Sequence, residues 1–494
     1  MNDAHYKWYA LSATSLGALV SVMTGSTLLI ALPSIAKDLS APMELVIWVI
    51  MSYMLAITVL VPAIGRVADM IGRKRLYVGG FALFTLTSLF AGMAGTGAAL
   101  LVVRIVQSIG GSLIIANSTA IVTDAFPKRE LGRALGVNTM VIAVGFALGP
   151  VVGGLVTEAL GWRWVFYINV PLGTIGTLWA WIQIRETAIL PKGQRFDVTG
   201  ASLFIAGLFL LLMALSLGGL DGWGSPMVIW GSAGAIVLLA LFIRFETRTA
   251  QPLFDLRLFK SRLLAFAYTS NFLNGIARGA LTFLLIFYLQ GVRSMDPLTA
   301  GLYLTPFAVA MMLSAPVSGA LSDRYGSRVL STIGLGLSAI GLLGFTWLKA
   351  ESSLAEIVLW QVVMGVGSGI FNSPNTNAIM GAVPVERRGI AAGTRTMMNN
   401  AGSVISIAMT FAIISSGMTP QAMAALFAGV QVGSEGIFVD VFMRDLRTAF
   451  FVSFLISAAA TVIAYLRGPA PVWDIQTATG QSGETEEGTA TPGA

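Results

Sequence analysis

The sequence predicts an all-α membrane protein with fourteen transmembrane helices, and three observations lead to this prediction. Of the 494 residues, 55% are hydrophobic and only 11% are charged, whereas a soluble chain averages about 25% charged residues. The apolar residues fall in blocks of about 20, which is the length that an α-helix needs to cross a hydrocarbon layer of about 30 Å. In addition, a short polar turn occurs twice, each time between two such blocks.

The apolar blocks define the expected organisation of the chain. They cover residues 10–32, 44–64, 77–96, 98–122, 134–157, 163–184, 198–218, 227–245, 263–289, 299–320, 329–348, 355–380, 390–415 and 447–466. The first block is longer than the apolar part of a signal peptide and lacks a small-residue cleavage site, so we expect a membrane span. Four regions follow: an N-terminal six-helix half (1–190), a linker with two extra transmembrane helices (191–262), a C-terminal six-helix half (263–467) and a disordered cytoplasmic tail (468–494).

The composition excludes several kinds of site. The chain has no cysteine, which excludes disulfides, thiol nucleophiles and thiolate metal sites. Its one histidine, His5, precedes the first span, so a histidine-based metal centre or catalytic triad is excluded as well. Nothing in the sequence indicates an enzyme, a metal site or a cofactor.

The basic residues predict the orientation of the chain. If the amino terminus lies inside, the inner loops and termini hold 21 of the 30 Lys and Arg residues and the outer loops hold six. Three arginines, Arg104, Arg278 and Arg395, fall within spans. This bias is typical of a multi-pass protein with both termini in the cytoplasm. We therefore attribute the net charge of +6 to topology in a cell membrane and expect no nucleic-acid partner.

The polar turn between spans 2 and 3 recurs 254 residues later, between spans 10 and 11. The shared residues are Gly65, Asp69 and Gly72 in the first copy and Gly319, Asp323 and Gly326 in the second. A second set repeats at an offset of 257 residues. In that set, Pro127, Gly132, Ala134 and Gly136 match Pro384, Gly389, Ala391 and Gly393. Two matched sets at nearly constant offset indicate a duplicated membrane unit, which is how many secondary transporters are built.

The duplicated turn resembles the signature of the major facilitator superfamily between its second and third helices. Three further stretches are similar to motifs of its fourteen-span drug:proton antiporters. They are 101–107 with Gly110 and Gly111 in the fourth helix, 145–154 in the fifth, and 161–171 at the entry to the sixth. The resemblance covers most of the chain. It implies the major-facilitator fold of two six-helix halves plus two linker helices, and an exporter of amphipathic compounds such as drugs that alternates access and is coupled to protons.

The fourth- and fifth-helix motifs supply candidate functional residues. Gly145, Gly149 and Gly153 share one helix face, so that a neighbouring helix can approach closely, and Pro150 permits a bend. The motif ends at Gly154. By family resemblance this face contacts the other half and favours export. Arg104 lies about six residues inside the outer end of its span, and the corresponding arginine of relatives is linked to proton transfer.

The chain departs from the antiporter pattern in its acidic residues. First spans of drug antiporters carry an aspartate nine residues before the proline of Ala-Leu-Pro, and this chain has Thr24 there. All 24 Asp and Glu fall in loops, tails or span ends, although proton coupling needs a titrating group in the pathway. Glu158 and Asp124 are then the candidates. Two alternatives stay open: a facilitator or antiporter for an anionic or neutral metabolite without proton coupling, and a transporter-like sensor without flux.

Arg278 is the most deeply placed charge, about 16 residues from the start of span 9. An arginine inside the membrane needs a partner or an aqueous cavity. We expect a cavity that favours anionic or neutral amphipathic substrates over simple cations; a polar cluster that only ties helices together is the alternative. The candidate cavity residues are Asn274, Arg278, Asn372, Asn375 and Asn399. We expect a monomer with a small-molecule substrate in a lipid bilayer.

The family resemblance also implies that Asp69 caps the amino-terminal end of span 13 near Gly389 and Ile390. By the duplication, Asp323 should do the same for span 5. A further contact follows from a paired difference, because Arg73 aligns with Ser327 and Asp124 aligns with Gly381. The second half thus lacks both charges. A joint loss predicts a salt bridge between Arg73 and Asp124, since the loss of one partner would leave a buried charge unpaired.

Overall fold

A computed structural model describes residues 3–41, 43–127, 129–186, 196–249, 259–279, 281–295, 297–384, 387–415 and 436–468. Within these ranges the secondary structure is helical, without strands, and fourteen helices are long and apolar enough to cross a membrane. The predicted all-α membrane fold with fourteen spans is confirmed. The expected disordered tail, 468–494, lies outside the described residues except for Gly468, as does most of the polar stretch before span 7.

The first six spans are helices α1 to α6. Their bounds are α1 Asp3–Asp38, α2 Met43–Ile71, α3 Arg73–Gly92, α4 Gly97–Ala125, α5 Leu131–Leu160 and α6, which consists of Trp164–Tyr167 and Asn169–Gln183. The two linker spans are α7 Val198–Asp221 and α8 Pro226–Glu246. The last six spans begin with α9, which consists of Arg262–Gly279 and Leu281–Phe287 and continues into a π-helical turn, Tyr288–Val292. The other five are α10 Pro297–Tyr325, α11 Ser327–Phe345, α12 Leu354–Gly381, α13 Arg388–Ser415 and α14 Gly436–Leu466.

Helix α14 begins earlier than the sequence predicts. The last apolar block starts at residue 447, whereas the helix already starts at Gly436. Asp445 is therefore the tenth residue of a helix and not part of a loop, and it is only 4% exposed. The charged residues of this first part conceal the helix from a search for apolar blocks. The prediction that every acidic residue lies in a loop or at a span end is wrong for Asp445.

Two hydrophobic clusters lie mainly in one half each, and a third joins α1, α4 and α5 to α9, α12 and α13. In the first half, Tyr77, Phe81 and Phe84 of α3 pack against side chains of α1, α2, α4 and α6. In the second half, Phe345 of α11 and Phe450 of α14 belong to a cluster that also includes α9, α10, α12 and α13. The two linker helices add to this arrangement, because α7 packs on both α2 and α13. Helices from the two halves meet chiefly in the pairs α2–α13 and α5–α10.

The duplicated turns connect α2 to α3 and α10 to α11. Gly72 has a φ of 117° and Gly326 a φ of 83°, which is backbone that a glycine adopts without steric cost. Each glycine immediately precedes a new helix, so the chain reverses direction within one residue. We call the end of the bundle that holds Gly72 and Gly326 the basic end, because the inner-loop lysines and arginines of the sequence prediction lie there.

Candidate functional site

The two halves come into backbone contact at the basic end through glycines of α2 and α13. A Cβ atom added to Gly65 would lie 2.5 Å from the carbonyl oxygen of Gly389, and one added to Gly393 would lie 2.8 Å from that of Val61. Real Cβ atoms do not approach oxygens so closely. Only glycine therefore allows these helices to lie this near to each other.

The pair α5–α10 repeats this contact at the same offsets. A Cβ atom on Gly319 would overlap the carbonyl oxygen of Gly132, and one on Gly136 would lie 2.6 Å from that of Ala315. Gly65 corresponds to Gly319 at the offset of 254 residues. The glycines of both repeats thus form one pseudo-symmetric pair of contacts between the halves.

A carboxylate from one half caps a helix of the other half at each of these contacts. Asp69 accepts hydrogen bonds from the amides of Gly389 at 3.1 Å and Ile390 at 3.2 Å, which start α13. Such an anion compensates the unpaired amides and the positive end of the helix dipole. The predicted cap on span 13 is confirmed.

Asp323 makes the equivalent cap on α5. It accepts from the amides of Gly132 at 2.9 Å and Arg133 at 3.1 Å, as the duplication predicts. Asn377 of α12 adds a donor at 3.1 Å. We call the contacts made by Asp69 and Asp323 the two latches.

The first latch contains the predicted ion pair. Arg73 is 1% exposed and bonds both Asp124 and Asp69, the latter through Nη2 at 2.7 Å. The predicted pairing of Arg73 with Asp124 is confirmed. Arg388 of the second half also donates to Asp124 at 3.0 Å, so this carboxylate links the halves. No sequence signal pointed to Arg388, because it falls in a predicted basic loop whose charges the orientation rule already explains.

The second half also has a cation at the position that corresponds to Arg73. Arg467, which follows α14, donates to the hydroxyl of Ser327 at 3.1 Å and to the amide oxygen of Asn375 at 2.9 Å. Arg467 is 2% exposed, and burial, together with Arg328, lowers its pKa to about 10. Ser327 itself carries no charge, but the guanidinium of Arg467 reaches this position from the residue that follows α14.

The side chain of Asn375 is buried between helices and does not form part of a cavity wall as the sequence suggests. Its side chain is 1% exposed, its nitrogen donates to the carbonyl of Ala267 at 3.2 Å, and its oxygen accepts from Arg467. Both ends of the amide are thus used between helices. Asn372 is partly accessible and bonds the carbonyl of Ser368 in its own helix at 3.0 Å, and Asn399 is partly accessible on α13.

Arg104 is fully buried within the first half and does not extend to the helix end. Its Nη1 donates to Gln107 at 2.6 Å, Gln107 donates on to Ser88 at 2.7 Å, and the guanidinium lies 4.0 Å from the ring centre of Tyr53. Its Nη2 has no hydrogen-bond partner, and no ion pair joins Arg104 to an acid among the residues described. Aromatic and amide contacts thus hold this cation.

Thr24 occupies the position where the antiporters carry an aspartate. It is 1% exposed, and its single hydroxyl proton is shared between the carbonyl of Val20 at 2.8 Å and the amide oxygen of Asn169 of α6 at 3.2 Å. Asn169 in turn donates to the carbonyl of Val165 at 3.1 Å. This position therefore holds a neutral hydrogen-bonded pair that binds no proton near neutral pH.

The glycine face of α5 does not contact the other half, contrary to the expectation from resemblance. Gly145 lies against Val22, Gly149 against Ser26 and Gly153 against Thr27, all on α1 of the same half. The close helix approach itself is as predicted. The residues of α5 that face the other half are on its opposite side, where the Cβ of Pro150 lies 3.6 Å from the Cβ position of Gly301 on α10. Gly154 is partly accessible within α5.

Arg278 lies on a polar stripe of α9 together with Asn271 and Asn274. Asn271 donates to the backbone carbonyl of Arg395 on α13 at 2.7 Å, which ties the two helices together. Asn271 and Asn274 are each 1% exposed, whereas Arg278 and Arg395 are partly accessible. No group of three or more His, Cys, Asp or Glu residues able to hold a metal occurs in the part of the chain that the structure describes.

Comparison with known proteins gives consistent results. The family model of the Major Facilitator Superfamily matches residues 14–199, 192–406 and 267–487. The chain is 32% identical to the riboflavin transporter RibZ of Clostridioides difficile over 84% of this chain and 89% of that protein. It is also 32% identical to the multidrug resistance protein Stp of Mycobacterium tuberculosis, over 83% and 76%. The structure of the human organic anion transporter MFSD10 matches 91% of this chain and 99% of its own with a TM-score of 0.61 and 16% identity, which supports the fold alone.

Proposed function

The chain belongs to the major facilitator superfamily and is a membrane transporter, and we propose that it exports amphipathic small molecules by alternating access across a cell membrane. The basic end lies in the cytoplasm in this proposal, because 21 of the 30 Lys and Arg residues fall on that side. The names of relatives, among them the multidrug resistance protein Stp and a tetracenomycin C resistance and export protein of Streptomyces glaucescens, support the substrate class.

The observation that carries the proposal is the pair of latches. Asp69 and Asp323 each cap a helix of the opposite half, at related positions and with nearly equal distances. A rocking motion that opens the basic end must break both caps together. Each charged cap contributes about 0.5–2 kcal/mol, so the latches contribute to the balance between closed and open states without locking either one.

Proton coupling fits the first latch. Asp124 joins Arg73 of its own half and Arg388 of the other. Loss of the negative charge of Asp124 would remove its attraction for both guanidinium groups and favour opening at the basic end. In this mechanism a proton that enters from outside is released to the cytoplasm as the latch forms again, and the substrate leaves in the opposite direction.

A second candidate is a facilitator or antiporter for an anionic or neutral metabolite without proton coupling. The hydrogen-bonded pair of Thr24 and Asn169 favours it, because neither side chain titrates near neutral pH. The relation to a riboflavin transporter is compatible with a metabolite as the substrate.

Flux into proteoliposomes distinguishes these functions. Purified full-length protein is reconstituted, and uptake of rhodamine 123, fluorescein and riboflavin is measured with and without a pH gradient. Accumulation driven by the gradient supports the coupled exporter, and downhill exchange alone supports the facilitator. Binding without any flux would show a sensor and contradict the proposal.

Variants locate the proton site in the same assay. We expect Asp124→Asn to lose gradient-driven accumulation while it keeps downhill exchange. Glu158→Gln, at the exposed opposite end of α5, and Asp445→Asn are the matched comparisons. Gradient-driven accumulation that persists unchanged in Asp124→Asn would exclude the route through the latch.

A further inference from the structure

We propose that Arg278 and Asn274 form a binding subsite for an anionic group, such as a carboxylate or sulfonate, on the transported molecule. This inference rests on the proposed transport function and specifies the chemical class of its substrate. It concerns the seam between α9 and α13, defined here by Asn271, Asn274 and Arg278 on α9 and Arg395 on α13.

The polar stripe of α9 faces the interior of the protein and not lipid. Ala267, Asn271, Asn274 and Arg278 lie at the three- and four-residue spacing of one helix face. The carbonyl of Ala267 accepts from Asn375 of α12, and Asn271 donates to the carbonyl of Arg395 on α13. The stripe therefore lies between α12 and α13.

The polar stripe extends far along α9, from the basic end into the membrane interior. Arg278 is 16 residues beyond the first residue of α9, about 24 Å along the helix axis. Helical side chains lean toward the amino terminus of their helix, which is the basic end for both α9 and α13. The guanidinium of Arg278 therefore leans back along the stripe toward Asn274, whereas Arg395, which lies level with Asn271, leans away from it toward the basic end.

The seam has more hydrogen-bond donors than acceptors. Asn274 Nδ2, Arg278 Nε and Arg395 Nε are each shielded from solvent and have no partner, and the one unpaired acceptor there is Asn271 Oδ1. Neither Arg278 nor Arg395 makes an ion pair with an acid among the described residues. A buried donor without a partner is costly, and an uncompensated cation deep in the membrane, such as Arg278, is more so. A ligand rich in acceptors and carrying negative charge would satisfy both.

Asn375 shows what a purely structural amide looks like in this protein. Both ends of its side chain are bonded, and one partner is Arg467, whose guanidinium is in turn bonded to Ser327. Asn274 is equally buried, yet its nitrogen has no partner. Asn138 of α5 also has a buried amide nitrogen without a partner, so what distinguishes the seam is that its unpaired amide nitrogen lies one helical turn from the unpaired Nε of Arg278.

The test compares two dyes that share the xanthene skeleton and differ in charge. Fluorescein is anionic near pH 7.5 and rhodamine 123 is cationic. Binding of each dye to purified full-length protein in lipid nanodiscs is measured by fluorescence anisotropy without any gradient. We expect fluorescein to bind more tightly than rhodamine 123, and Arg278→Gln to weaken fluorescein binding by at least about tenfold.

Two further variants separate recognition from folding. Arg278→Lys keeps the charge without Nε and should bind fluorescein better than Arg278→Gln does. Arg248→Gln removes one exposed arginine beyond α8 and should change neither dye. Equal binding of both dyes, no binding of fluorescein, or equal losses in Arg278→Gln and Arg248→Gln would each overturn the proposal.

The outcomes for the subsite and for transport are distinguishable. If vesicles transport rhodamine 123 or riboflavin while the wild-type protein does not prefer fluorescein, the subsite is wrong and the transport function stands. If fluorescein binding depends on Arg278 while no dye crosses the membrane, the subsite stands and the proposed export fails.

Discussion

Arg467 donates a hydrogen bond of 3.1 Å to Ser327, the residue that stands where the first half of the chain has Arg73. In the first half the guanidinium belongs to α3 itself and bonds Asp69 and Asp124. In the second half it comes from the end of α14 and bonds a hydroxyl and an amide. The two repeats thus place the same chemical group next to the same turn by different routes, and only the first route includes acidic partners.

The first prediction concerns this contact. Arg467→Gln should lower the free energy of unfolding by about 1.5–3 kcal/mol, because it removes charge-assisted hydrogen bonds and leaves the oxygen of Asn375 buried without a donor. Thermal unfolding of the purified protein measures the change. Arg324→Gln, an exposed arginine in the same duplicated turn, is the control and should have little effect. Equal melting temperatures for both variants would contradict the assignment.

The second prediction concerns Arg73 and Asp124. Arg73→Ala and Asp124→Ala should each impair transport, and the double variant should be little worse than either single one. Breaking a buried pair costs about 3–5 kcal/mol because one charge stays unpaired, whereas removing both charges avoids that penalty. The vesicle assay provides the three rates, with Arg75→Ala at the adjacent exposed position as the control. Additive losses would show that the pair does not act as a unit.

The cap of Asp69 on span 13 was implied by the family resemblance, and the duplication of the turn extended it to Asp323. Arg73 and Asp124 were predictable because one copy carries both charges and the other carries neither.

Contacts that depend on which helices are neighbours could not be predicted in this way. The spacing of Gly145, Gly149 and Gly153 defines a helix face, but the spacing is the same whether α1 or the other half lies against it. Arg467 lies outside both repeated sets, so nothing in the sequence connects it to Ser327. The unpaired donors around Arg278 depend on the arrangement of α9 and α13, which the depth of this arginine in its span does not specify.

The third prediction concerns the glycines between the halves. Gly65→Ala and Gly319→Ala should each hinder closure at the basic end, because the added Cβ would meet a backbone carbonyl that cannot move aside. Since the chain has no cysteine, a single Ser373→Cys reports on closure: Ser373 is fully buried and donates to the carbonyl of Gly132 at 3.0 Å. We expect this cysteine to react faster with maleimide in both glycine variants.

Gly79→Ala is the matched control for these variants, because a Cβ atom there would meet nothing within 4 Å. Its labelling rate should equal that of the Ser373→Cys parent. If Gly65→Ala and Gly319→Ala also label at the parent rate, the glycine contacts do not limit closure.

The last prediction concerns pH and the opposite end of the bundle, where α1 meets the turn between α5 and α6. Asp38 accepts from the indole of Trp162 at 2.9 Å and from Arg163 at 2.5 Å, and these two hydrogen bonds lower the pKa of Asp38 below 3.8. Because folding lowers the pKa of Asp38, this contact stabilises the folded protein fully at pH values above the pKa of Asp38 in the unfolded chain. The stabilisation is lost as the pH falls through the pKa of Asp38 in the folded protein. It should be constant from pH 8 to about 5 and weaken only below about 4.

A fluorescent label tests this dependence. Ser34 lines the same surface cavity of about 500 Å³ as Asp38 and Trp162, so a bimane group on a single Ser34→Cys should be quenched by the indole. Quenching should decrease below about pH 4 as protonated Asp38 releases its partners. In Asp38→Asn the quenching should be pH-independent, because the amide does not titrate. A transition between pH 5 and 7, or one that persists in Asp38→Asn, would show that another group controls this end of the bundle.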